Sequence, residues 1–271
     1  MRHGHQKAIL VSNGRIISRT FNKVILPSPS FQGLQVSRNA GKLTLRVIKS
    51  IPLVHLDETI GVGLRPGFGD DSLRIGGVKI FADCALGPRT AWMLEGFDSA
   101  PDCTGISAVL PEELHEAILK ADAHGVAATV HATGDRASRE VLDIFAEARS
   151  GAGAPRPYVR NRIKHVQLLH PDDACRLAEL GVIASMQPLH ATSDMQIADQ
   201  HWGRRCAGAY ALRMQQDCGA VVALDSDHSR SGYFHDRALG DPEQPRSGCP
   251  HRWALRLVDR GSDRLRIRQG R

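Results

Sequence analysis

The sequence predicts an α/β fold built on a parallel sheet. Three observations carry this: strand-like and helix-like segments alternate from about residue 44; the helix-like ones are bounded by Pro, Gly or a capping Asp; and 271 residues suffice for one large barrel, which takes about 250. Strands that alternate with helices run parallel, because a parallel connection needs a crossover long enough to hold a helix. An open doubly wound sheet and a closed barrel both satisfy the pattern. In either, chemistry gathers where the strands end.

The elements follow in order. The stretch "KAILVSNGRIIS" sets two apolar runs around Asn13-Gly14, a strong hairpin signal. "LTLRVI" and "GGVKIFAD" are strand candidates. "PEELHEAILKADAHG" is a helix: Pro111 opens it, Leu114, Ala117, Ile118 and Ala121 share one face, and Gly125 stops it. "VAATVH" is the next strand, and Asp135 can cap the helix "RASREVLDIFAEAR", whose stripe is Val141, Ile144, Phe145 and Ala148. Then come the strand "RIKHVQLL", the helix "PDDACRLAELG", the strand "VIASMQ", a longer amphipathic stretch "RRCAGAYALRMQQDCG", and the strand "AVVALDSD".

Composition excludes several classes. With 42% hydrophobic and 24% charged residues the chain reads as globular. No apolar run approaches the roughly 20 residues of a membrane span, and "MRHGHQKAIL" has no signal-peptide core, which together argue for the cytoplasm and against a membrane partner. The six cysteines (84, 103, 175, 206, 218, 249) form no C-x-x-C pair and read as reduced thiols. Of the +6 formal charge, much lies in residues 252–271, where seven arginines face Asp259 and Asp263. Such a tail reads as a solvated segment, which argues against nucleic acid as a partner. No G-x-G-x-x-G, P-loop or G-x-S-x-G motif gives nucleotide or serine chemistry an anchor.

Five strand ends carry ligand-type or titratable groups: Lys79 in "VKIFAD", His131 closing "VAATVH", His165 in "RIKHV", Gln187 to His190 after "VIASM", and Asp227 after "AVVALDS". Singly, each has a plain explanation: a solvated histidine, a helix-capping aspartate, a Lys79–Asp83 ion pair. Together they suit a divalent cation, since imidazole nitrogen and carboxylate oxygen hold Zn²⁺ and its neighbours. Metal-assisted hydrolysis is the economical reading.

The segments "LRIGGVKIFADCALGPRTA", "VHATGDRA", "RIKHVQLLHPDD", "GVIASMQPLHATSD", "HWGRRCAGAYA" and the "SD" of "LDSD" resemble, in order and spacing, amidohydrolase family 3, the branch that includes N-substituted formamide deformylases. The resemblance runs from about residue 43 to 228. It implies a distorted (β/α)8 TIM-type barrel with a small β-sandwich, a divalent metal centre, and hydrolysis of non-peptide C–N bonds in an amide, formamide or cyclic amide. It also implies metal ligands at Lys79 (a carboxylated lysine), His131, His165 and Asp227, with Asp227 taking the proton of the attacking water and His190 contacting substrate. Desolvation and nearby cations favour the free amine that the lysine role requires.

The chain departs from that family at both ends. Family members carry an H-x-H pair at the end of the first barrel strand, whereas the match here begins near the third. His3 and His5 have no strand before them. The expectation is therefore a partial barrel lacking strands 1 and 2, divided into an N-terminal β segment over 1–42 that is a remnant of a β-sandwich, a barrel domain over 43–228, and an irregular basic tail over 229–271. One metal position, at Lys79, His131 and His165, should be better formed than a second. Exposed barrel edges should favour self-association. The competing functional expectation is a catalytically inactive remnant that serves as a binding or interaction module.

Overall fold

The computed structural model describes residues 8–12, 15–23, 28–44, 46–151 and 159–225. Eight strands form one closed ring in chain order: β1 (Ala8–Ser12), β2 (Arg15–Lys23), β3 (Val47–Pro52), β4 (Leu73–Phe81), β5 (Ala128–Ala132), β6 (Arg162–His165), β7 (Ile183–Met186) and β8 (Val222–Leu224). From β2 to β8 each strand pairs with the next in parallel. β1 is antiparallel to both of its neighbours, β2 and β8. The architecture is thus a TIM-type barrel in which a hairpin stands in for the first βα unit.

Two expectations are corrected here. The barrel edges expected to be exposed are paired: Phe21 to Lys23 hydrogen-bond in register with Val47 to Lys49, and Ile9 to Val11 with Val222 to Leu224. An edge strand's unmet N–H and C=O groups are a template for any neighbouring strand, and the hairpin meets both. It therefore lies in the barrel ring and not in a separate sandwich. Nor is the segment 1–42 all β: residues Ser28–Asn39 form α1, which opens on Ser28-Pro29 and half-buries Phe31, Leu34 and Ser37 at a helical spacing of three. Arg38 in its last turn pairs with Asp70 in the loop before β4. The tail 229–271 lies outside the described residues.

Between β3 and β4 lies the short α2 (Leu56–Gly61). The helices α3 (Pro111–Ala123) and α4 (Asp135–Gly151) form as the spacing predicts, with Pro111 at the start of α3 and Gly125 left-handed just past its end. Their apolar faces pack on the outside of β4 and β5, where Leu114, Ile118, Val141, Leu142 and Phe145 meet Val78, Ile80, Ala128 and Val130. Each large side chain buried there contributes about 1.5–3 kcal/mol. The next two expected helices are broken. "PDDACRLAELG" becomes a 3₁₀ turn (Pro171–Asp173) and α5 (Arg176–Glu179); after α6 (Pro188–Ser193) and α7 (Met195–Trp202), the amphipathic stretch becomes a 3₁₀ run (Gly203–Gly208) and α8 (Leu212–Asp217), interrupted by Tyr210 at φ 50°.

The reading of all cysteines as reduced is also corrected. Cys175, just before α5, is disulfide-bonded to Cys218, just after α8, across 43 residues. Gln215 Nε2 donates to Ala174 O at 2.7 Å beside it. Local spacing rules could not see a pair made by tertiary contact. Cys84 and Cys103 are free thiols, half-buried, and Cys206 is buried. No helix among the described residues is long and apolar enough to cross a membrane.

A second apolar cluster sits apart from the barrel wall. Residues of the long β4–α3 loop (Leu86, Ala91, Met93, Phe97) pack with Ala198 and Trp202 of α7, and with Cys206 and Tyr210 after it. Arg205 clamps the two parts by donating to Gly96 O at 2.6 Å and Glu95 O at 3.0 Å. The loops that follow β4 and β7 are thereby fixed as a unit.

Candidate active site

Strand alternation decides which side chains enter the barrel. On β4, Val78, Ile80 and Ala82 face the helices; on β5, Ala128, Val130 and Ala132 do; on β7, Ala184 and Met186. The intervening residues Lys79, Phe81, Thr129, His131 and Ser185 therefore face the lumen. Lys79 is 3% exposed and pairs in register with Thr129, two residues before His131. Its Nζ stands 4.5 Å from the Phe81 ring, which is in turn 5.2 Å from the His131 ring.

His165 breaks the alternation. Ile163 faces the helices and Lys164 the lumen, where it stands 3.6 Å from Asp225, so a regular strand would turn His165 outward. Instead His165 and Val166 adopt φ of 78° and 48°, a left-handed conformation costly for any residue but glycine and most of all for a β-branched one. The turn sends Val166 into the helix-side core and brings the His165 ring to 4.3 Å from that of His131, edge to face. Hydrogen bonds from Val166 N to Ala132 O and Leu168 N to Thr133 O, both 3.1 Å, hold it. His190, on α6, brings its ring to 5.7 Å from His165. Its Nδ1 lies 3.7 Å from Asp194, which also accepts from Tyr210 Oη at 3.3 Å.

The site has a buried organiser absent from the expected set. Asp83, 0% exposed at the end of β4, accepts backbone N–H bonds from Trp92 (3.0 Å), Thr133 (2.9 Å) and Gly134 (2.8 Å). Burial pushes its carboxyl up to about 7, against the pull of those donors and of Lys79. Its oxygens thus go to the backbone, which ties the β4–α3 loop to the turn after His131. Gly134 is required there: a Cβ would meet Trp92 O at 2.0 Å. Asp135, expected to cap α4, accepts the Leu94 N–H at 2.9 Å and anchors the same loop. The sequence signal for this hub was the Asp-83 to Gly-Asp-135 pattern itself, which spacing alone could not connect.

His131 and His165 are imidazole donors of the kind that hold divalent metals. His131 Nε2 lies 2.7 Å from Cys84 O; a carbonyl only accepts, so this nitrogen carries the proton and Nδ1 is left as the acceptor. Metal-bound histidines characteristically donate their second nitrogen in this way. The two imidazoles lie edge to face, and the buried Lys79 stands on the neighbouring strand β4. Asp227 lies outside the described residues, and among the described residues no group of three His, Cys, Asp or Glu side chains forms a ligand cluster.

A parallel barrel that collects these groups at the C-terminal ends of its strands is the architecture of barrel hydrolases. The chain belongs to the amidohydrolase family, whose sequence pattern matches residues 28–236. It is similar to Protein LONG AFTER FAR-RED 3 of Arabidopsis thaliana, 31% identical over 189 residues, covering 69% of this chain and 32% of the relative. It is also similar to the putative amidohydrolase YtcJ of Bacillus subtilis (strain 168), 31% identical over 156 residues, covering 57% of this chain and 28% of that protein. Among solved structures, an uncharacterized metal-dependent hydrolase from Pyrococcus furiosus superimposes with a TM-score of 0.69 at 28% identity, over 87% of this chain and 49% of that one. A counterpart from Pyrococcus horikoshii OT3 gives 0.64 at 27% identity, over 77% and 40%. The chain therefore spans about a third of the curated relatives and half or less of the solved ones.

Proposed function

We propose that the chain is a metal-dependent amidohydrolase that cleaves a non-peptide C–N bond in a small amide, formamide or cyclic amide, in the manner of the N-substituted formamide deformylase branch. The observation that carries this is the left-handed turn at His165, a strained conformation whose effect is to bring a second imidazole to 4.3 Å from the first. In this reading Lys79, His131, His165 and Asp227 hold the metal. A bound divalent ion, zinc foremost, supplies a nucleophilic hydroxide from water near neutral pH. The amine of Lys79, reacting with CO₂ and releasing one proton, gains the carboxylate that a bare lysine lacks. Asp227 accepts a proton from the attacking water, and His190 contacts the substrate. Asp83 keeps His131 and the turn after it in place.

Metal content per chain tests this, measured in bicarbonate buffer on the wild type and on a His131→Ala, His165→Ala double variant. About one tightly held zinc, lost in the double variant, is expected. A folded wild type that takes up no metal would sink the reading and favour a non-catalytic binding role.

A further inference from the structure

Asp194 immediately precedes α7, the position where an aspartate ordinarily caps a helix by accepting an N–H of its first turn. No such side-chain bond forms. Its Oδ1 instead accepts from Ser193 Oγ at 2.8 Å, while Oδ2 lies 3.3 Å from Tyr210 Oη and 3.7 Å from His190 Nδ1. The carboxylate is thus diverted from its own helix to the histidine that approaches His165, ring to ring, at 5.7 Å. The His190 and Asp194 side chains are 25% and 26% exposed, so the pair lies where a ligand can reach it.

Tyr210 constrains the carboxylate in turn. Its backbone is left-handed, at φ 50°, a conformation costly for an aromatic residue. Its N–H donates at 2.6 Å to the carbonyl of Gln167, in the segment that follows His165. Burial, together with the neighbouring Asp194, holds the phenol well above the ordinary tyrosine range, so it stays a donor. An ionised carboxylate only accepts, and a nitrogen that faces it therefore carries the ring proton, as the aspartate of a hydrolytic triad selects the tautomer of its histidine. The lone pair is then left on Nε2, across the ring.

We propose that Asp194 is a positioning residue: braced by Tyr210, it fixes neutral His190 as the Nδ1–H tautomer, so that Nε2 meets the substrate as a hydrogen-bond acceptor. The substrate contact rests on the amidohydrolase reading above; the tautomer does not.

The test reads the His190 tautomer by two-bond proton–nitrogen NMR correlation on the isotope-labelled full chain at about pH 8.5, roughly two units above the ordinary histidine value. His190→Gln identifies the signal. Expected is a wild-type ring mainly in the Nδ1–H form. Asp194→Asn keeps the shape but offers Nδ1 a donor, and should shift the ratio about tenfold or more towards Nε2–H with an unchanged thermal midpoint. Tyr210→Phe, which removes only the hydroxyl, should weaken the preference in the same direction, and it decides the matter if Asp194→Asn does not fold. A wild-type ring in the Nε2–H form, or a ratio unmoved in the folded variant, overturns the assignment; a lower midpoint with an unmoved ratio would make Asp194 merely structural. A ratio that moves as expected in a chain that hydrolyses no amide upholds the positioning role and refutes the amidohydrolase reading instead.

Discussion

Replacing Gly134 with alanine should disable the site by a route that can be worked out from the structure. The added Cβ would lie 2.0 Å from Trp92 O and 2.6 Å from Trp92 C, so the two segments must part by roughly one and a half ångström to reach ordinary contact. Trp92 N and Gly134 N both donate to Asp83, at 3.0 and 2.8 Å, and Trp92 O accepts from Ala137 N at 3.2 Å. Separation therefore breaks at least one hydrogen bond to a buried carboxyl group. Such a bond is worth about 1.5–3 kcal/mol, and overpacking strain adds about 1–3 kcal/mol. A loss of about 2.5–6 kcal/mol follows, a large share of the roughly 5–15 kcal/mol that a domain possesses. Urea unfolding followed by circular dichroism measures it. Gly151→Ala at the end of α4, where nothing lies within 4 Å of the new Cβ, is the control, expected to be neutral or stabilising by up to about 1 kcal/mol. If Gly134→Ala costs less than about 1 kcal/mol, the close approach is not what holds the turn after His131.

Asp83→Ala strands the N–H groups of Trp92, Thr133 and Gly134 and should cost at least about 3 kcal/mol by the same assay; a near-neutral result would show that water replaces the carboxyl. Reducing the Cys175–Cys218 bond, or substituting both by serine, frees a 43-residue loop and by chain entropy should remove about 4 kcal/mol. An unchanged thermal midpoint with reductant would show that the bond contributes nothing. Arg38 and the N–H groups of Ser72 and Leu73 hold the Asp70 carboxyl down at about 2. A depressed folded pKa means that this stabilising contribution is present above about pH 4 and is lost as pH falls through about 2. Arg38→Ala should raise the Asp70 midpoint in an NMR titration, and an unmoved midpoint would mean that the backbone donors alone set it.

What could be read from the sequence follows the physics of each element. Amphipathic helices such as α3 and α4 declare themselves through periodicity and punctuation, because their stability comes from one apolar face. That Lys79 and His131 share the lumen face follows from regular alternation along β4 and β5. β3 was expected at 43–48 but spans Val47–Pro52; Lys49 and Ser50, polar residues just past the expected strand, are buried at 4% and 2% exposure. His165 meets His131 for a reason the pattern did not contain. Parity points it outward, and only a strained turn held by tertiary hydrogen bonds brings it in. Asp83, the disulfide and the hairpin's place in the ring all depend on contacts between distant segments, which local spacing cannot encode.

Closing a barrel and supplying metal ligands are separate physical tasks, and β1 serves the first. Its backbone meets the hydrogen-bonding needs of β2 and β8, so no edge is left between them. Because it runs antiparallel, however, its last residue, Ser12, lies opposite Arg15 at the start of β2, and its first residues lie beside the end of β8. A ligand pair following β1 would therefore emerge at the rim opposite His131 and His165. Among the described residues, the histidines brought together at that rim follow from the parallel strands β5 and β6. On the proposed reading one better-formed metal position, at Lys79, His131 and His165, is expected, and a stoichiometry near two metals per chain would refute it.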